Sequence, residues 1–150
     1  MTATARAALT AALVIGVDQG AKALVRAHVR PGSKDGVFPG LELVNARNRG
    51  VAFNLLEGKT GIVALITGGV LIGLLVFFAL NRTRPLVWLP TGLLLGGALG
   101  NVIDRVARDD GVTDFLKLPA WPAFNVADMA IVFGVLALAY VLEGKRDDPA

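Results

Sequence analysis

The 150 residues are 54% hydrophobic and 18% charged, with a formal net charge of +3. Soluble domains run nearer a quarter charged, so this balance points to a membrane protein. Cys is absent and His28 and Ser33 stand alone of their kinds, which excludes disulfides, thiolate metal sites, a Cys nucleophile, an HExxH zinc site and a GxSxG elbow. Any hydrolytic chemistry falls to carboxylates, Lys, Thr or Tyr. The basic residues sit at segment ends, which fits anionic lipid headgroups better than nucleic acid.

Residues 7–25 are apolar except for Asp18, Gln19 and Lys22. Arg6 followed by Ala7–Val17 imitates a signal peptide, but the apolar character continues past Lys22 without a small-x-small cleavage site. A retained first span is the better reading. Asp18 and Lys22 are spaced i, i+4 and form an ion pair on one face; a structural pair is favoured over a contact to an active-site loop. Residues 26–59 are the longest extramembrane piece, with turn signals at Pro31-Gly32-Ser33 and Pro39-Gly40. LELVNA (41–46) and VAFNLL (51–56) read as strands flanking a hairpin turn at Arg47-Asn48-Arg49-Gly50, so a small sheet on the membrane surface is expected over about 36–56. His28 is expected at the surface.

No charge interrupts residues 61–80, a length that spans about 30 Å of hydrocarbon. Gly68, Gly69 and Gly73 are expected to admit a neighbouring helix closely. After the basic turn 81–85, residues 86–103 form a third span that Pro90 bends and in which Gly92, Gly96, Gly97 and Gly100 open a packing groove. Residues 124–142 form the fourth, before Lys145 and Arg146. The expected fold is therefore a membrane all-α protein, a four-helix transmembrane bundle carrying a small surface sheet, with both termini on one side. Charge counting does not settle which side. Arg26, Arg30, Lys34, Arg47, Arg49 and Lys59 offset the basic ends and the 81–85 turn.

The polar residues concentrate between Gly96 and Ala130. A carboxylate at the edge of hydrocarbon is costly unless paired or reactive. With Ser, His and Cys set aside, Asp114 and Asp128 are the candidate catalytic pair. Two close carboxylates share one proton; the ionised one takes a proton from water while the neutral one polarises a carbonyl. Asp114 is expected in the loop after the third span and Asp128 at the start of the fourth, with a chain reversal between them. Asn125 orients Asp128 or caps the helix. Asp104 and Arg105 read as a structural ion pair, Asn101 as a ligand of backbone or water, Asp109-Asp110 as solvated charges, and Trp121 as an interfacial anchor. Two rivals remain at this point: a proton-coupled transporter using Asp18, Lys22, Asp104 and Asp128 as a relay, and a non-enzymatic assembly protein.

DQGAK (18–22), ARNRGVAF (46–53), GGALGNVIDR (96–105), GVTDF (111–115) and FNVADMAI (124–131) occur in an order that resembles the lipoprotein signal peptidases (signal peptidase II), aspartyl peptidases of bacterial inner membranes. The resemblance covers nearly the whole chain. It implies that Asp114 and Asp128 are the catalytic dyad, and that Asn48 and Gly50 bind substrate. It further implies that Asn101, Arg105 and Asn125 line the site, and that Asp18 and Lys22 support activity or stability. Ala21 and Val51 depart mildly from the family pattern, and the stretch between the two aspartates is short. The implied activity is cleavage of a lipid-modified prolipoprotein just before its diacylglyceryl cysteine, at the outer face of the cytoplasmic membrane with cytoplasmic termini. The implied enzyme is a monomer among membrane lipids, with no metal, cofactor or nucleic acid.

Overall fold

The computed structural model describes residues 1–50, 60–108 and 110–143. Its first element, α1 (Ala3–His28), reaches beyond the apolar run at both ends. The Thr2 side chain accepts from the Ala5 N–H at its start, and the turn at Pro31-Gly32 follows its close. Ala7, Ala11, Asp18, Lys22 and Val25 are buried along one stripe of this helix, while Leu9, Leu13, Val17 and Leu24 are exposed. Exposed leucines on a long helix are what a lipid-facing surface requires.

The helices α2 (Thr60–Asn81), α3 (Trp88–Ala107) and α4 (Val126–Glu143) complete the helical part. By length and composition α1, α2 and α4 can cross a membrane. The more polar α3 lies between α1 and α4, where its small residues disappear into helix contacts. A Cβ on Gly92 would fall 2.7 Å from the Ala7 carbonyl oxygen, and one on Gly96 would fall 2.9 Å from that of Ala11. On the α4 side, a Cβ on Gly97 would meet the Ala127 oxygen at 2.5 Å. These glycines therefore make close helix crossings, and no open groove remains on that face.

Two expectations fail for related reasons. Gly68, Gly69 and Gly73 meet nothing within 4 Å, because α2 lies loosely against the bundle and turns these positions outward. Pro90 falls in the first turn of α3, where its missing N–H would have had no intrahelical partner, so it starts the helix instead of bending it. The contrast is measurable by thermal unfolding in detergent. Gly97→Ala is expected to cost about 1–3 kcal/mol through overpacking, whereas Gly69→Ala leaves stability unchanged or raises it.

The sheet is antiparallel in the order β1 (Lys34–Phe38), β2 (Leu41–Asn48), β3 (Val112–Lys117). The β1–β2 turn uses Pro39-Gly40, with Gly40 at φ +90°. Arg47 and Asn48 therefore continue a strand that pairs with β3 and do not open a hairpin turn. The expected partner strand 51–56 lies outside the described residues. Asp114 also sits on a strand and not in a loop. Beyond β3 the chain doubles back, and Phe124 exchanges backbone hydrogen bonds with Leu116 at 2.9 Å in both directions. That reversal delivers Asn125 and the first turn of α4 to the side of β3.

Candidate active site

Strand β3 meets the last turn of α3 through the Thr113 N–H, which donates to Asp104 Oδ2 at 3.1 Å. The Thr113 hydroxyl accepts from Arg26 at 3.2 Å and Arg47 at 2.7 Å. One residue on, Asp114 lies opposite Ala46 in the β2–β3 register, so Asn48, opposite Val112, is its diagonal neighbour. Asn48 Nδ2 donates to Asp114 Oδ2 at 3.0 Å, and Asn125 Nδ2 donates to Oδ1 at 2.7 Å.

Asp128 occupies the first turn of α4. Its Oδ2 accepts from the Asn125 N–H at 3.1 Å while its own N–H donates to Asn125 Oδ1 at 3.0 Å. This reciprocal pair is a capping box with Asn and Asp in its two positions. Asn125 thus both caps the helix and, through its amide, reaches the other aspartate. Asn101 Nδ2 donates to Asp128 Oδ1 at 2.8 Å. Asp114 and Asp128 line one cavity of about 790 Å³ together with Asn48, Asn101 and Arg105. Its apolar wall includes Ile66 and Val70 of α2, Ala98 of α3, and Ile131 and Val132 of α4.

The four buried or cavity-lining aspartates divide into two pairs. Asp18 and Asp104 are fully buried and share the Lys22 ammonium, at 2.7 and 3.2 Å. Asp18 also accepts from the Ala127 N–H at 2.9 Å, and Gln19 bridges Asp18, Asp104 and the Gly100 carbonyl. The ion pair at Asp18 and Lys22 therefore forms as its spacing predicts, and it also ties α1 to α3 and α4. Asp114 and Asp128, in contrast, have no ion-pair partner within 4.0 Å among the described residues and are held by neutral donors. Ion pairing commits a carboxylate to its cationic partner, whereas neutral amide donors orient it without offsetting its charge.

Asp104 and Arg105 are not partners. Neighbours on a helix point about 100° apart, and Asp104 turns inward to Lys22 and Arg108 while Arg105 donates to the Gly50 carbonyl at 2.7 Å. Gly50 is buried and its N–H donates to Asn48 Oδ1 at 3.0 Å, so Gly50 links Asn48 and Arg105, which both line the cavity. Asp110 pairs with Arg47 at 2.6 Å, and Asp109 lies outside the described residues. Trp121 is half-exposed beside the cavity. His28 is exposed, its Nδ1 2.9 Å from the Leu24 oxygen. Residue-by-residue reading missed Thr113 as a hub and Gln19 as a bridge. Its one usable signal was Gln19 beside Asp18 in an otherwise apolar helix.

The family model for signal peptidase (SPase) II matches residues 10–142. The chain belongs to the signal peptidase II family. It is 44% identical to the lipoprotein signal peptidase of Moorella thermoacetica, over 89% of this chain and 90% of that one. It is 40% identical to that of Syntrophomonas wolfei, over 91% and 93%. Two solved structures, bacterial membrane enzymes determined by the in meso method, are also similar. One has a TM-score of 0.86 at 31% identity, covering 96% of this chain and 93% of that chain. The other has a TM-score of 0.83 at 32% identity, over 95% and 94%. This signal peptidase II member is accordingly a membrane peptidase, and its lipid-facing helices fit that class.

In this peptidase, burial pushes the Asp114 carboxyl up from the ordinary 3.8 to about 6, and the neighbouring Asp128 charge adds to the rise against the opposing Asn48 and Asn125 hydrogen bonds. A carboxyl with a raised value in the folded state binds its proton more tightly there than when unfolded. Its stabilising contribution is full below about pH 4, declines as pH rises toward 6, and is absent above. The span corresponds to about 3 kcal/mol. The difference between the stability–pH curves of the wild type and Asp114→Asn is expected to show that decline. A difference curve flat across pH 4–6 would contradict it.

Proposed function

We propose that this peptidase cuts the signal peptide of diacylglyceryl-modified prolipoproteins immediately before the lipidated cysteine, with Asp114 and Asp128 as its catalytic dyad. The ionised carboxylate removes a proton from a water that attacks the scissile carbonyl, and the neutral one hydrogen-bonds the carbonyl oxygen as charge develops there. A proton then passes from the dyad to the leaving amine as the C–N bond breaks. The observation that carries this reading is the placement of two carboxylates, oriented by neutral amides alone, in one cavity with an apolar wall open between helices. A lipid-anchored peptide arrives laterally in the bilayer, and its acyl chains find apolar surface at Ile66, Val70, Ile131 and Val132. Asn48 is proposed to contact the peptide from the cavity wall, with Gly50 and Arg105 holding it in place behind. The cavity is proposed to face the outer side of the cytoplasmic membrane, with both termini in the cytoplasm. The peptidase is proposed to act as a monomer.

The test is cleavage in detergent micelles of a precursor with and without its diacylglyceryl group. The lipidated form is expected to be cut at the cysteine, unaffected by chelators or by thiol and serine reagents. Equal cutting of the unlipidated form, or sensitivity to those reagents, would count against the proposal.

A further inference from the structure

Each of the four carboxylate oxygens of Asp114 and Asp128 accepts one hydrogen bond, and the donor in each case is unable to reverse its role. A side-chain amide donates on one side and accepts on the other, so whatever engages its oxygen decides where its NH₂ points. The Gly50 N–H occupies Asn48 Oδ1, which turns Asn48 Nδ2 toward Asp114. The Asp128 N–H occupies Asn125 Oδ1, which turns Asn125 Nδ2 toward Asp114 and toward Asn101 Oδ1 at 3.1 Å. The fourth donor, the Asn125 N–H, is backbone. Asn101 is the exception in kind. Its oxygen accepts both from Asn125 Nδ2 and, at 3.0 Å, from the Lys22 ammonium, a group with three donors and no acceptor, and its NH₂ therefore faces Asp128.

We propose that Lys22 is a positioning residue for the cleavage reaction, supplying the stronger, charge-assisted of the two hydrogen bonds that hold the Asn101 amide oxygen, so that the dyad is surrounded by donors alone. The inference rests on the aspartate dyad of the preceding subsection. Its consequence concerns the shared proton. A neutral carboxyl beside a free asparagine would turn the amide over and donate its O–H to the amide oxygen, which holds the proton in the ground state. With every amide oxygen already engaged, the carboxyl O–H has only the opposing carboxylate, the attacking water or the substrate to donate to. Lys22 touches neither reacting atoms nor substrate in this scheme. Its full burial between Asp18 and Asp104, at 2.7 and 3.2 Å, keeps its position fixed.

The test uses the full chain in detergent and separates kcat from KM. Lys22→Met is combined with Asp18→Asn, so that an ammonium and a carboxylate charge leave together and an oxygen remains for the Ala127 N–H. The expected result is a folded protein with kcat reduced about tenfold and KM little changed, because one neutral hydrogen bond now competes for the proton. Lys22→Arg, which keeps an obligate donor opposite Asn101, is expected to restore most of kcat. A purely structural role would lower the unfolding temperature and leave kcat of the folded fraction at the wild-type level, which would overturn the proposal. If the double variant does not fold, Asn101→Asp decides. It keeps an acceptor for Lys22 but gives Asp128 an acceptor in place of a donor, and kcat is expected to fall about a hundredfold; wild-type kcat would again overturn the lock. Asp114→Asn and Asp128→Asn run alongside. Turnover in those variants removes the dyad itself, whereas its loss there together with normal kcat in the double variant removes only the role of Lys22.

Discussion

Replacing either Asp114 or Asp128 by Asn is expected to leave a folded protein whose turnover has fallen at least about 10³-fold. The two halves of that expectation have separate physical grounds. Turnover needs one carboxylate to accept a proton and one carboxyl to give it, and an amide does neither. Folding is preserved because each aspartate is held by neutral donors, of which an Asn still satisfies one with its remaining oxygen. At Asp114 the substitution also removes a buried charge. Above pH 6 the wild type carries that charge against its surroundings, worth about 3 kcal/mol, while the variant loses one hydrogen bond of about 1 kcal/mol. Asp114→Asn should therefore unfold at a temperature no lower than the wild type at pH 8. An inactive but misfolded pair of variants would favour a role in assembly over one in catalysis. Normal cleavage by either would remove the dyad.

The helices were legible because each carries an apolar run that no soluble strand sustains, and in α2 the run is uninterrupted by charge. What the run does not reveal is which face meets protein. The glycines of α2 and of α3 look alike in sequence, yet only those of α3 lie in helix crossings, since a Gly is equally at home against a helix or against lipid. The sheet was half legible. β2 shows apolar strand character, but β1 is KDGVF, exposed at every position and without an alternating pattern. β3 follows Gly111 so closely after α3 that VTDFLK passes for a loop, although its β-branched and aromatic residues were the available signal. Pairing between β2 and β3 is long-range, and no local pattern encodes it. Asp114 and Asp128 stood out by elimination and by resemblance. The three asparagines that orient them were visible as residues, but their donor–acceptor order exists only once Lys22, Gly50 and Asp128 have been brought to their oxygens. The Asp104–Arg105 reading erred by treating sequence neighbours as spatial ones. The relay reading loses its path as well, because Asp18 and Asp104 are committed to Lys22 and to backbone N–H groups.

Asp104→Ala is expected to be the most destabilising of the charge substitutions, at about 3–5 kcal/mol. The carboxylate is fully buried and serves several groups at once. Lys22 lies at 3.2 Å and Arg108 at 3.7 Å, Gln19 donates to it, and the Thr113 N–H ends on its Oδ2. Removing it leaves the Lys22 ammonium with Asp18 as its only remaining carboxylate among the described residues and leaves a buried backbone N–H without its acceptor. Asp104→Asn keeps an oxygen for Thr113 and should lose less. The control is Asp110→Ala, which breaks a shorter ion pair, 2.6 Å to Arg47, between half-exposed side chains. That change should cost no more than about 1 kcal/mol, because water and salt already screen the pair. Equal losses at positions 104 and 110 in thermal unfolding would show that burial is not what gives the interior cluster its weight. The same geometry predicts a second effect in the fraction of Asp104→Ala that folds. Thr113 is the residue before Asp114, so a strand released from α3 carries the candidate catalytic carboxyl with it, and cleavage should fall further than the folded population does.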